Sequence, residues 1–344
     1  LFTYGATSAG KTWTMQGDTG NSGIIPRSLD TVFNTIGTQI SNTVPVQPVG
    51  FNRVVGISQG ELEQARKDKE TVFRLGLDLN KKTGGGRLSP DISTLSGCSA
   101  ASTGSSVCSS GPDLANLHSL FPSLASRDKE DSKLDIRHAD ITYSVWVSFC
   151  EIYQDCCYDL LKKVPDTKKK GERVSLRLCE ERDGLPYVKG LREVQVSSAD
   201  EAFQILAIGR DNLHFAATKL NQQSSRSHCI FTIKVVRVAD PKKPNLARVS
   251  IFSFCDLAGS ERIGKTNNVG ERQKETGNIN TSLLILGRCI KAMRHNQNLK
   301  DKKGHEVIPF RESKLTRLFK SYFTGQGKSS LIICISQAEY LFDE

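Results

Sequence analysis

No apolar stretch in this chain approaches the roughly 18–20 residues that a membrane-crossing helix needs, and no signal-peptide pattern is visible. Membrane insertion is therefore not expected. The chain holds 10 cysteines but no Cys-x-x-Cys and no paired Cys/His spacing for zinc. Most of these thiols sit inside apolar runs, such as Cys255 in Ile-Phe-Ser-Phe-Cys-Asp, and the adjacent Cys156 and Cys157 are read the same way. That usage fits a reduced cytosolic or nuclear compartment, with thiols acting as small core hydrophobes. No internal repeat is evident. An initiating Met is also missing: the chain opens at Leu1, within an expected strand, and is read as a fragment of a longer protein.

With 344 residues there is enough chain to bury a large core, as one big α/β domain or two smaller ones. Net charge is +10, and from Arg262 to Lys328 there are 15 Lys and Arg against 5 Asp and Glu, an excess equal to that of the whole chain. A segment this basic reads as a solvated face or as a footprint for a polyanion, either nucleic acid or an acidic protein surface. The interleaved aromatics of single-strand nucleic-acid binders are not evident in it, so no nucleic-acid partner is expected.

The residues that carry chemistry begin at once. Gly5, Ala6, Thr7, Ser8, Ala9, Gly10, Lys11 and Thr12 form G-x-x-x-x-G-K-[ST], a phosphate-binding loop. Gly5 and Gly10 let the backbone turn its N–H groups inward, where a side chain would block the phosphates. Lys11 supplies a point charge and Thr12 a hydroxyl for Mg²⁺. The apolar run Leu1–Tyr4 suits the preceding strand, and Thr12–Met15 can open a helix whose positive end faces the anion. Two later segments supply what hydrolysis also needs. Asp256-Leu257-Ala258-Gly259-Ser260-Glu261 follows an apolar strand, so that Asp256 can hold a Mg²⁺-bound water and Gly259 can offer an N–H to the terminal phosphate. Asn221-Gln222-Gln223-Ser224-Ser225-Arg226-Ser227-His228 offers paired hydroxyls, and an Arg226 that can bridge to Glu261. Taken alone, each of these two segments also reads as an ordinary polar turn, with His228 a plain loop histidine.

Strands are predicted over Thr142–Ile152, Ile230–Val238, Val249–Cys255 and Ser330–Ile335. Helices are predicted over Ser28–Ile36, Gly60–Leu79, Ala199–Gly209, Asn280–Arg294 and Ser313–Tyr322. Strands separated by helices argue for an α/β sheet protein. Residues 38–140 change character. Ser96–Pro112 is mostly Ser, Gly, Ala, Thr and Cys, and the stretch reads as a long, partly disordered loop insertion.

Together these motifs resemble the kinesin motor domain over nearly the whole chain outside that insertion. Phe149-Cys150-Glu151-Ile152-Tyr153, Asn278–Leu283 and Val307–Thr316 agree with it. The position of the insertion and Tyr322–Lys328 look like the mitotic kinesin-like (MKLP) class that acts in cytokinesis. The resemblance implies a P-loop NTPase with a kinesin-type mixed central sheet flanked by helices. It also implies a partial motor domain over 1–344, lacking sheet strands before the phosphate loop and the last helix and neck after Glu344. Such a fragment is not expected to fold stably or step by itself.

By the same resemblance ATP and Mg²⁺ are the ligands, and Thr12, Ser225 and Asp256 serve the metal, Asp256 through water. Asn221 lies near the terminal phosphate, Ser224 helps hold the lytic water, and Arg226 pairs with Glu261, which takes the water's proton through a relay. Gly259 senses the phosphate. Arg288, Lys291, Arg311, Lys314 and Arg317 meet the acidic surface of tubulin. The implied activity is a microtubule-stimulated ATPase motor at the spindle midzone, cytoplasmic and cytoskeletal, nuclear in interphase, and dimeric through a coiled coil outside this chain. The alternative is a non-motile microtubule crosslinker that keeps the fold. A GTPase is disfavoured because no Asn-Lys-x-Asp is present.

Overall fold

The computed structural model describes residues 1–18, 20–82, 128–135, 141–164, 173–219, 226–260, 271–299 and 304–337. Along the chain come β1 (Phe2–Tyr4), α1 (Lys11–Gln16), α2 (Ile24–Ile36), β2 (Val46–Val49), β3 (Arg53–Gly56) and α3 (Gln59–Lys82). Then follow β4 (Thr142–Tyr153), β5 (Cys156–Asp159), β6 (Arg177–Glu180), β7 (Pro186–Lys189), β8 (Val194–Val196) and α4 (Ala199–Lys219). The last elements are β9 (His228–Val238), β10 (Arg248–Asp256), α5 (Glu271–Asn298), α6 (Lys314–Leu318) and β11 (Leu331–Ile333).

Seven strands form one mixed sheet in the order β11-β1-β10-β9-β4-β5, with β8 also paired to β4. β1 runs parallel to both β10 and β11, whereas β9 is antiparallel to β10 and to β4. This arrangement places the site. The C-terminal ends of β1 and β10 and the N-terminal end of β9 share one edge, so three segments distant in sequence emerge together, as ligand-binding loops do in open α/β sheets. Register makes the meeting close, with Thr3 opposite Asp256 and Asp256 opposite Cys229.

Strand alternation builds two cores. Val145, Val147 and Phe149 of β4 and Phe231, Ile233 and Val235 of β9 face α2, α3 and α4. Cys150, Ile152, Ile230 and Cys255 face the other way, onto Leu283 and Leu286 of α5 and Leu315 of α6. The polar members of β4 are buried too: Trp146 Nε1 and Gln195 Nε2 both donate to Ser144 Oγ, at 2.9 Å each. Buried backbone and side-chain polar groups on a central strand need such partners.

Several expected boundaries move for physical reasons. α2 starts at Ile24 because Pro26 lies in the first turn, where its missing N–H costs no hydrogen bond. α4 runs past Gly209 to Lys219: a Cβ there would stand 2.3 Å from the Phe149 ring, so this glycine permits close helix–sheet packing and does not end the helix. α6 stops at Leu318, and Tyr322–Gln326 continues as an irregular turn with Gly325 at φ 96°. The expected insertion over 38–140 is not loop from its start. Residues 46–56 form the β2–β3 hairpin, and α3 buries Val72, Phe73, Leu75 and Leu79 in the first core, as its apolar spacing within a charged sequence predicts. Residues 128–135 return along α2, where Arg27 pairs with Glu130 at 2.8 Å. The small-residue stretch 96–112 lies outside the described residues.

Candidate functional site

The phosphate loop sits between β1 and α1, with Gly5 at φ 153°, Ser8 at 64° and Gly10 at 94°. Gly5 is also sterically required, since a Cβ there would lie 2.3 Å from the Cys334 carbonyl oxygen at the end of β11. α1 has six residues, which leaves the loop amides and Lys11 as the main anion-binding groups. The Lys11 side chain is folded into the loop, and its ammonium donates to the carbonyls of Gly5 (2.8 Å) and Ala6 (2.7 Å). A buried cation whose ammonium already donates to two loop carbonyls suits an incoming anion.

Asp256, at the end of β10, accepts from Thr12 Oγ1 at 2.5 Å and Thr3 Oγ1 at 3.1 Å. Burial pushes its carboxyl above the usual carboxylate range, while Thr12, Thr3 and the Lys11 charge pull it back. A desolvated carboxylate beside a threonine hydroxyl is an all-oxygen donor set, and it suits a hard divalent cation that would also relieve the burial penalty. These residues therefore fit Mg²⁺.

The next residues tie this junction to the other layer. The Ala258 N–H donates to His228 Nδ1 at 3.0 Å, and His228 Nε2 lies 2.8 Å from Ser282 Oγ on α5. Because Nδ1 accepts, the proton is on Nε2, which donates to Ser282. Burial holds this imidazole neutral, with its pKa lowered to about 4. His228 is thus a three-way joint between the head of β9, the loop after β10 and the long helix α5, and not a plain loop residue. Ser260 N donates to Gly5 O at 3.2 Å, so the amides on both sides of Gly259 are bonded, one to His228 and one to the phosphate loop.

A cavity of about 310 Å³ opens beside the loop, lined by Lys11, Thr12, Trp13, Ser227, Asp256 and the α4 residues Arg210 and His214 among others. Two larger cavities elsewhere, of about 380 and 600 Å³, contain none of the phosphate-binding residues, and chemistry outweighs size here. Sequence reasoning missed Arg210 and His214. They stand four apart on one face of α4, a signal hidden by ending that helix at Gly209.

Of the expected nucleotide residues, Gly5 to Thr12, Asp256 and Gly259 are brought together. Arg226 stands two residues ahead of β9. Asn221, Ser224, Ser225 and Glu261 lie outside the described residues, so the expected Arg226–Glu261 pair does too.

The five expected tubulin-facing cations lie on α5, α6 and the short 3-10 turn Phe310–Glu312. Arg288, Lys291 and Arg311 are exposed, while Lys314 and Arg317 are partly buried. Two already have acidic partners: Arg288 bonds Glu312 at 2.6 Å and Arg317 bonds Glu180 at 2.9 Å. α6 is capped by Ser313, whose hydroxyl accepts from Leu315 N, and by Asp155, which accepts from Lys314 N at 2.8 Å. The basic segment does contain aromatics, a correction to its reading from sequence. Phe310 and Phe319 are buried, and Tyr322 and Phe323 pack against core clusters, so they build the segment's underside and are not a stacking platform.

The family model for the kinesin motor domain matches residues 1–344. Kinesin-like protein KIF20A of Bos taurus is 39% identical over 348 residues, covering 100% of this chain and 38% of the relative. Kinesin-like protein KIF23 of Mus musculus is 34% identical over 352 residues, with 100% and 33% covered. The chain therefore spans about two-fifths of the length of the first of these relatives and a third of the second. Among solved structures, one described as kinesin 6 superposes with TM-score 0.68 at 29% identity, covering 100% of this chain and 77% of that one. A KIF14 dimer in complex with a microtubule superposes with TM-score 0.61 at 25% identity, covering 100% and 67%.

Proposed function

The chain belongs to the kinesin motor-domain family, and from that premise we propose that it is the catalytic part of a microtubule-stimulated ATPase motor that acts in mitosis, at the spindle midzone and in cytokinesis. One observation carries the reading. Asp256 is bonded to the phosphate loop through Thr12, and two residues later Ala258 is bonded through His228 to Ser282 of α5. Any shift of the loop after β10 is therefore felt at the helix that bears Arg288 and Lys291.

In this mechanism Lys11 exchanges its two carbonyl partners for phosphate oxygens of ATP, and the loop amides of Gly5 to Thr12 close around them. Thr12 and Ser225 would hold Mg²⁺, with Asp256 serving it through water, and the bound ion would neutralise developing phosphate charge. Asn221 and Ser224 would orient the attacking water, and Glu261, paired with Arg226, would take its proton through a relay. Gly259 lends its N–H to the terminal phosphate, and its freedom of φ lets the loop move when that phosphate departs. Neutral His228 transmits the movement, because its two ring nitrogens bond fixed partners on both sides. The track would be gripped by Arg288, Lys291, Arg311, Lys314 and Arg317 through charge complementarity with tubulin. Coupling is reciprocal, so track binding changes nucleotide affinity by the factor by which nucleotide changes track affinity.

The test is steady-state ATP hydrolysis by the full-length protein with and without microtubules. Lys11→Ala should lower the stimulated rate by about 10²–10³-fold, the usual loss when a pre-organised charge contact is removed. Wild-type turnover that microtubules leave unchanged would overturn the motor reading.

A further inference from the structure

The β2–β3 hairpin has no part in the mechanism above, yet its tip makes a set of specific contacts far from its own neighbours in sequence. Gly50, at φ 67°, presents its carbonyl to Lys234 Nζ on β9 at 2.8 Å. The Phe51 N–H donates to Glu181 Oε1 at 2.9 Å, and Arg53 pairs with the same oxygen at 3.3 Å. The Glu181 side chain is only 5% exposed, so a desolvated carboxylate is committed to holding this tip. The positive φ at Gly50 favours glycine, and a Cβ there would stand 1.8 Å from that oxygen, so a larger residue would push the Glu181 carboxylate off the tip. Lys234 is itself buried and pairs with Glu193 at 2.6 Å, which fixes the ammonium that grips Gly50.

From this anchored tip the Phe51 ring reaches Tyr322, edge to face, with centroids 5.7 Å apart. Tyr322 contacts Phe319 at 5.9 Å, and Phe319 contacts Phe2 of β1 at 4.7 Å. The Tyr322 hydroxyl also lies 3.2 Å from Ser253 Oγ on β10. The row of rings therefore runs from the hairpin, beneath the turn that follows α6, to the strand that enters the phosphate loop. A cavity of about 380 Å³ lies under the tip, between Val49, Phe51, Lys234, Leu318 and Tyr322. Phe51 and Tyr322 both line this cavity, so their ring contact spans its rim from the hairpin tip to the turn after α6.

We propose that Phe51 is a positioning residue: the hairpin tip is a strap that holds Tyr322 and the end of α6 against the sheet, setting the presentation of Lys314 and Arg317 to the track. The inference rests on the motor reading for its partner, but its geometry can be tested without it. In the full-length protein, Phe51→Ala should leave ATP turnover without microtubules unchanged. The microtubule concentration for half-maximal stimulation should rise about three- to ten-fold, in the range of coupling changes made by residues that touch neither ligand. Phe51→Tyr should restore it. Amide hydrogen exchange over residues 318–323 should accelerate in Phe51→Ala and return in Phe51→Tyr, a readout that needs no track. If Phe51→Ala does not fold, Glu181→Gln, which weakens the anchor, should give the same pair of changes. Stimulation in the wild type together with an unmoved half-maximal concentration and unchanged exchange in the variants overturns the strap. A wild type that microtubules do not stimulate overturns the motor reading, and the exchange result then decides whether the strap holds Tyr322.

Discussion

The junction around Asp256 and the cation cluster on α5 and α6 are both built of charged and polar side chains, but they obey different physics. At the junction, Lys11, Asp256 and His228 are desolvated and each bonds a defined partner. In the cluster, Arg288 and its partner Glu312 keep about half of their side-chain surface in water, and Arg317 about a third. Burial makes a single lost contact costly, because the group left behind cannot turn to solvent. Exposure makes each contact weak, screened by salt and nearly additive. The first region can therefore switch, and the second can grip in proportion to its summed charge.

The largest effect that would test this contrast is at Asp256. Asp256→Asn keeps the shape but removes the charge, and stimulated turnover should fall about a hundred-fold, on the scale of other pre-organised electrostatic contacts. A loss below ten-fold would move Asp256 out of the site.

His228 comes next. His228→Ala strands the Ala258 N–H and removes the imidazole from Ser282, and unfolding in urea should show a loss of about 2–4 kcal/mol, the cost of an unsatisfied buried amide together with a lost hydrogen bond and lost packing. The wild type should also be acid-sensitive at this residue. Its folded pKa is depressed from 6.5 to about 4, so the unfolded chain binds the proton more readily. Stability contributed by the neutral ring is fully present above pH 6.5 and is lost as pH falls towards 4. It amounts to about 3 kcal/mol, and should be missing from the pH profile of His228→Ala. Identical pH profiles for the two proteins would break the comparison from the buried side.

The smallest effects belong to the cluster. Arg317→Ala and Arg288→Ala should each weaken microtubule binding only about two- to five-fold, as rim charges do, with less effect on stability than 1 kcal/mol. Each should also flatten the dependence of binding on salt, measured by co-sedimentation across ionic strengths. A loss of a hundred-fold from either would mean that one buried anchor, and not a summed field, holds the track.

Much of the site was legible because its residue types are dictated locally. Gly5, Gly10, Lys11 and Thr12 must stand at their spacing for the backbone to wrap a phosphate, and Asp256 must follow an apolar strand to reach a sheet edge. The role of His228 was not legible. A histidine in a polar turn looks the same whether it faces water or, as here, an amide and a hydroxyl brought from 30 and 54 residues away. Gly209 misled for a related reason: glycine ends helices when φ must turn positive, but here it answers the Phe149 ring on β4. The hairpin over 46–56 was not legible, and the helix expected over Gly60–Leu79 was set inside a loop insertion, because both gain stability only against α4 and the sheet.

The order of residues alone settled the phosphate loop, the apolar strands and the concentration of positive charge between 262 and 328, since each depends on neighbours within a few positions. Only the tertiary structure decided that the loop after β10 hangs on α5 through one neutral imidazole, and that a hairpin from the expected insertion reaches Tyr322 across 271 residues of chain. Those are contacts between surfaces that exist only once the sheet has fixed its register, and no local pattern encodes which surfaces will face each other.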